Sequence, residues 1–458
     1  MKGRGPWIRA GVVLLLAGVL AGCAAGYSRT MGKSLGRVQS RDWEGALASL
    51  DKPSGDTNML LYRLEKGLVL HYAGDYTGSN GQFEKAEKLI DRHYTRSISR
   101  EVAALLTNDA IRAYSGEEFE RVLIHYYRAL NYHYLGDHQG ALVECRKANL
   151  RLSDFAEAAE YELSYANDAF MQYLTGLLYE AGGEVNDAYI SYRDAVKGYA
   201  AYEDAFGMRP PPPLAADLRR ATAELGFEPE WTELQERWGL DPEASGAPPL
   251  GPGTVTVFAE TGFVGRKGQN EINVPITKGG KLKEVWTISD RAVRQYHYGW
   301  EGKVEYWLRV ALPVYEPVPS QVSGVRLRAG GAEARGWLVE DLDAIAWRTL
   351  RDKEDVILRR TVARAAAKWL AKEAAEEESE VLGALINLFG AGTEAADTRS
   401  WLALPRTIWM ARIRMPPGTQ EVALEFINAQ GGVVDRHEFT GVQAGGGHPV
   451  FLSWRSFR

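Results

Sequence analysis

Hydrophobic and polar positions along this chain change their period twice. Behind the basic residues Lys2, Arg4 and Arg9 comes an apolar run from Ala10 to Leu20. About twenty apolar residues are needed to span a bilayer, so the run predicts the core of an export signal rather than a membrane helix. From Ser40 to about Trp238 apolar residues return every three or four positions, which predicts a helical half. At Thr254 the period shortens to two. Thr254 to Ala259, Glu271 to Ile276, Val285 to Ser289, Val304 to Leu312, Val322 to Leu327, Ile408 to Ile413, Glu421 to Ile427, Val433 to Phe439 and Val450 to Trp454 read as strands between Gly, Pro or Asp turns. Short strands at this density predict a β-sandwich-like domain. A helical insertion interrupts it from Asp341 to about Ala391, with Leu358, Val362 and Trp369 on its apolar side and Arg359, Arg360, Arg364 and Lys368 opposite. The Pro- and Gly-rich stretch 241–253 is the expected linker, and the rigid run Pro210 to Pro213 reads as a connector. The fold class expected is α+β multidomain: a helical domain over 40–240, then a β-rich domain over 254–458.

The apolar run ends in Leu20-Ala21-Gly22-Cys23. That ending resembles the bacterial lipobox, which implies a signal peptide over 1–22, a diacylglyceryl group on the Cys23 thiol and a lipidated tether over 23–39. Two or three acyl chains on one residue hold a protein at a bilayer almost permanently, at ~0.8 kcal/mol per buried methylene. Ala24, where Asp would retain the protein at the inner membrane of enteric bacteria, implies the outer membrane, with the domains facing the periplasm.

Within the helical half one spacing recurs. Gly67 is followed by Gly74-Asp75-Tyr76, Phe83 and Ala86. Ala129 is followed by Tyr132, Gly136-Asp137, Ala141, Cys145 and Ala148, and Gly176 by Tyr179, Gly183, Ala188, Tyr192 and Ala195. Small residues let two helices approach, the Gly turns the chain, and the bulky residue fills the groove to the next hairpin. The pattern resembles the tetratricopeptide repeat, which implies stacked helical hairpins and a concave peptide-binding groove. The turn glycines fall 62 and then 47 residues apart, where the repeat has ~34, so extra helical matter such as Ser97 to Tyr114 is expected between hairpins. A degenerate half-copy, Asp42-Trp43, Ala46 and Leu50, precedes them.

Composition narrows the chemistry. The formal charge of −6 becomes −9 once Lys2, Arg4 and Arg9 leave with the signal, without a basic block, so nucleic acid is not an expected partner. With Cys23 lipidated, Cys145 has no partner for a disulfide, and its repeat position predicts a buried, inert thiol. His133 and His138 sit five apart across a turn, off the spacing of two helix-borne ligands, so no metal is expected. No Gly-x-Ser-x-Gly elbow, phosphate-binding Gly loop or His-Glu-x-x-His occurs; no cofactor and no enzymatic activity are expected. The apolar segment Val381 to Phe389 packs on its own domain in the plainest reading, or touches lipid or a second copy.

Three further stretches carry a resemblance: Asp75-Tyr76, then Tyr126-Tyr127-Arg128-Ala129-Leu130-Asn131 leading to Gly136-Asp137, and above all Ala396-Asp397-Thr398-Arg399-Ser400-Trp401 with Leu404-Pro405. Together they resemble a family of Gram-negative bacterial lipoproteins with a tetratricopeptide-like front half and a β-rich back half. That resemblance implies work in envelope or peptidoglycan assembly. The lipobox and the repeats point to an anchored scaffold that binds protein partners through its hairpins; a self-assembling outer-membrane component is the alternative, and a hydrolase with dispersed catalytic residues a lesser one. Tyr126 and Tyr127 offer themselves as partner contacts. Asp397, Arg399 and Trp401 would share one face of a strand, as a structural ion pair capped by Trp401 or as a contact to a partner.

Overall fold

The computed structural model describes residues 27, 31–98, 112–158, 161–244, 246–277, 304–361, 396–416, 420–444 and 447–458. The lipobox Leu20, Ala21, Gly22 with Cys23, the strand expected at Val285 to Ser289, the segment Val381 to Phe389 and most of the helical insertion lie outside these residues. Helices fill the first half of the chain and strands most of the second. No helix among the described residues is long and apolar enough to cross a membrane.

The helical half begins earlier than the sequence pattern predicts. Residues 31–39 form helix α1, whose Met31, Leu35 and Val38 are buried, so this stretch is folded body and not tether. There follow α2 (Trp43–Ala48), α3 (Met59–Tyr72), α4 (Tyr76–Ile98), α5 (Glu118–Tyr134), α6 (His138–Ala158), α7 (Ala169–Ala181), α8 (Val185–Phe206), α9 (Pro212–Leu225) and α10 (Glu228–Trp238). The pairs α3–α4, α5–α6 and α7–α8 are hairpins, and each turn carries a left-handed glycine: Gly74 at φ 82°, Gly136 at 77° and Gly183 at 81°. Only glycine adopts that conformation without a steric penalty. Seven positions earlier the helices close up on a small residue: a Cβ on Gly67 would lie 2.7 Å from Phe83 Cε1, and one on Gly176 2.4 Å from Tyr192 Cδ1. The α1–α2 pair repeats this plan with Ser34 at the small position and Arg41, at φ 59°, where the others have glycine. Asp42 then caps α2 through the Gly45 amide at 2.9 Å, as Asp75 and Asp137 accept from Gly78 and Gly140 at 2.8 Å.

The strands are β1 (Thr254–Thr261), β2 (Arg266–Thr277), β3 (Val304–Glu316), β4 (Gly324–Ala329), β5 (Ala332–Arg335), β6 (Trp337–Asp341), β7 (Thr407–Arg414), β8 (Val422–Ile427), β9 (Val433–Phe439) and β10 (Val450–Ser456). They form a sheet ordered β10-β1-β7-β6, a second ordered β5-β4-β8-β9, and a β2-β3 ribbon. Among the described residues only β10 against β1 is parallel. The insertion begins with α11 (Leu342–Asp352), started by the Asp341 carboxylate on the Ala344 amide at 3.0 Å. Val255, Val257 and Ala259 of β1 share a buried cluster with Leu327 of β4 and Leu424 of β8, so the two four-stranded sheets pack together.

Strand β1 is buried along its whole length. Phe258 points the other way from Val257 and joins the helical cluster, which continues through Phe170 and Met410 to Phe451 of β10. The larger cluster runs unbroken from α1 to β10, and the second lies between the two four-stranded sheets. Leu250, in the expected linker, is part of the larger one.

Candidate functional site

Between the helices and the first sheet lies a largely buried layer of charged and hydroxylated residues. Its centre is the irregular segment 396–406, leading into β7. The Trp401 amide donates to Glu120 Oε1 at 2.7 Å and the Leu402 amide to Glu65 Oε1 at 2.9 Å. The Trp401 ring packs on Phe83 and Tyr127, with centroids 5.8 and 6.1 Å away. Arg399 is buried: it forks onto Asp397 at 2.8 and 2.7 Å and donates to the Thr57 and Arg112 carbonyls, each at 3.0 Å. Helices α3, α4 and α5, with the carbonyls of Thr57 and Arg112, thus hold an irregular segment by its amides, side chain and ring. The segment belongs to the same chain.

Around it, carboxyl groups meet tyrosine hydroxyls. Tyr27 donates to Glu65 at 3.1 Å, Tyr114 to Glu120 at 2.7 Å, Tyr165 to Asp168 at 2.5 Å and Tyr173 to Asp217 at 2.7 Å, while Tyr72 donates to Glu260. Burial disfavours the charged form and pushes Glu65 up to about 8, Glu120 to about 7 and Asp168 to about 6; Glu260 and Glu340 are raised for the same reason. A tyrosine is a fitting partner because it donates to a carboxyl oxygen in either protonation state. Arg455 of β10 closes the layer, donating to Tyr72 Oη at 2.8 Å and to the Gly262 and Leu404 carbonyls at 2.6 and 3.0 Å.

The residues singled out from the sequence fall into two groups. Phe83, Ala86, Ala129, Ala141, Cys145, Ala148, Ala188, Tyr192 and Ala195 are all fully buried in the hairpins, Tyr179 nearly so and Tyr132 partly. Burial pushes the Cys145 thiol up to about 12. The suggested partner contacts need correction: Tyr126, Tyr127 and Trp401 are 0% exposed and Arg399 1%, so their partner is the other half of this chain. The segment is not a strand, and Trp401 faces the helices instead of capping the Asp397–Arg399 pair. Glu65, Glu120, Glu260 and Arg455 escaped sequence reasoning. The signal was there: Glu65 interrupts Leu60, Leu61, Leu64 and Leu68, and Glu260 stands in an otherwise uncharged strand.

Among the described residues, Glu87, His125 and Glu144 bring three ligand-type atoms within 4.8 Å of one another. Arg128 pairs with both carboxylates, reaching Glu144 at 3.0 Å, and Lys147 lies 3.1 Å from Glu144. A divalent ion there would meet two cations, so the cluster is an ion-pair network. His133 packs edge-on against Phe451, its centroid 5.4 Å away, with its pKa brought down to about 4 by burial and by His138. A cleft of about 430 Å³ runs between Pro210–Pro212 and Trp337 and Trp409, and one of about 610 Å³ lies between Arg328, Glu333, Glu421 and Arg436. The buried carboxyls of the central layer line neither cleft.

No family model matches the chain, and no curated protein does. Among solved structures it is similar to the crystal structure of BtubC (BKLC) from P. vanneervenii, at 15% identity and a TM-score of 0.29, over 51% of this chain and 81% of that one. A likeness at that score carries no inference about fold or function.

Proposed function

We propose that this protein is a lipid-anchored envelope scaffold that binds protein partners through its helical hairpins and transforms no substrate. In this reading its helical hairpins are tetratricopeptide-like, its two facing sheets form a sandwich-like module, and Cys23 carries the lipid. One observation supports it most: Glu120 and Glu65 hold the amides of Trp401 and Leu402 as a repeat groove would hold a bound peptide. The groove is filled in cis, which makes the two halves one rigid body and leaves the outer faces of the hairpins for envelope proteins, in the setting of envelope or peptidoglycan assembly.

The test is a photo-crosslinker at Leu150, an apolar residue 63% exposed on α6, in living cells. A discrete adduct that disappears in Cys23→Ala is expected. Identical adduct patterns for anchored and unanchored protein would count against the scaffold.

A further inference from the structure

We infer that the face carrying Tyr27 and α1 rests against the lipid headgroups, so that the body stands on the bilayer instead of swinging from a tether; this rests on the lipidated Cys23 of the reading above. Chain length is the reason. Tyr27 Oη donates to Glu65 Oε1 at 3.1 Å, and Glu65 is fully buried beneath Leu402. From there the chain enters α1, which buries Met31, Leu35 and Val38 in the continuous core. Only residues 24–26 separate Cys23 from Tyr27. A chain spans at most ~3.5 Å per residue, which keeps the two Cα atoms within ~14 Å of each other. Acyl chains on Cys23 place its backbone at headgroup level, and the surroundings of Tyr27 are then held at the same short distance.

The outward side of α1 suits that neighbour. It presents Gly32, Lys33 and Gly36, small residues that permit close approach and a cation that anionic headgroups attract, while Arg37 beside them is paired with Asp42 at 2.9 Å. Successive helices from α2 onward pack on one another in chain order, so α10 stands at the end of the array remote from Tyr27.

Energy transfer in vesicles tests this. The lipidated full-length protein is reconstituted in phosphatidylethanolamine and phosphatidylglycerol vesicles holding a trace of rhodamine-labelled lipid, with a donor dye on Lys33→Cys or Glu236→Cys; both positions are exposed, and Cys145 is buried. Transfer from position 33 is expected to exceed that from position 236 at least about twofold. Twelve Gly and Ser residues inserted after Ala25, a coil of roughly 19 Å, are expected to bring the two towards parity. With lipid on Cys23 established by mass spectrometry, equal transfer from the two sites, or a ratio that ignores the insertion, overturns the inference alone. An unmodified Cys23 overturns the lipoprotein reading and this inference together.

Discussion

Arg412 of β7 and Asp217 of α9 meet as a bidentate ion pair, at 2.7 and 2.8 Å, with side chains 1% and 0% exposed. Asp217 also accepts from Tyr173 of α7 at 2.7 Å and Arg220 at 2.9 Å, so one carboxylate joins two helices to the first sheet. Removing one partner of a buried pair strands the other charge, at a cost of ~3–5 kcal/mol. Arg412→Met should therefore lower the urea midpoint by that equivalent, and Asp217→Leu combined with Arg412→Met should recover part of it. A single variant within about 0.5 kcal/mol of the parent would show that the pair holds nothing together.

The buried acids give stability a pH dependence whose sign is fixed. Glu65, Glu120 and Asp168 hold their protons more tightly folded than unfolded, because burial raises them. The stability they lend is complete below the ordinary carboxyl range and is lost as pH rises towards about 8, the folded value of Glu65. Burial would raise Glu144 and Asp217 too, yet His125 and Arg128 bring Glu144 down to about 2, and Arg412 lowers Asp217. Their contribution is present above the ordinary range and fades in acid. Thermal melts should show a falling midpoint from pH 5 to pH 8.5, each raised group adding at most about 1.4 kcal/mol per pH unit. Glu65→Gln should flatten the upper part of that slope; a slope identical to the parent's would remove Glu65 as its source.

Trp401 is the ring on which the two halves close. Its replacement by Ala should cost ~3–5 kcal/mol, the range for a buried aromatic. Hydrogen exchange should accelerate together in α3, α5 and β10, because Trp401, its amide acceptor Glu120 and Arg455 belong to one layer. Acceleration confined to residues near 401 would mean that the layer is not cooperative.

Arg41 occupies the left-handed position that Gly74, Gly136 and Gly183 fill in the other hairpins. Its guanidinium donates to the Arg455 carbonyl at 2.7 Å and lies 4.3 Å from the centre of the Trp454 ring. Arg41→Gly and Arg41→Ala both lose those contacts, but only Ala keeps the strained φ. The Gly variant should be more stable than the Ala variant by about 1 kcal/mol in urea titrations. The reverse order would refute the left-handed assignment.

The hairpins were legible because their turns and close approaches use residues with one physical meaning, glycine at a positive φ and glycine or alanine where helices touch. Strands β1, β7, β8, β9 and β10 were legible through their two-residue period. Strands β5 and β6 were not: Ala332–Arg335 is too short to show a period, and Trp337–Asp341 ends in charged residues whose burial depends on distant elements. Nor did the pattern show that segment 396–406 packs against the helices. Trp401 and Glu120 are 281 residues apart, and no local signal reports a contact made by a backbone amide. The helix of residues 31–39 was hidden by its glycines, which read as tether until Met31 and Leu35 are seen in the core.

The parallel strand β10 pairs with β1 and supplies the carbonyl that Arg41 grips, so the first hairpin and the last strand complete each other. A folding chain cannot satisfy Arg41 until residue 455 has joined the sheet, so the first hairpin is not complete before the last strand is in place. A truncation that removes only the last strand should therefore be felt at the opposite terminus, in the first helical hairpin.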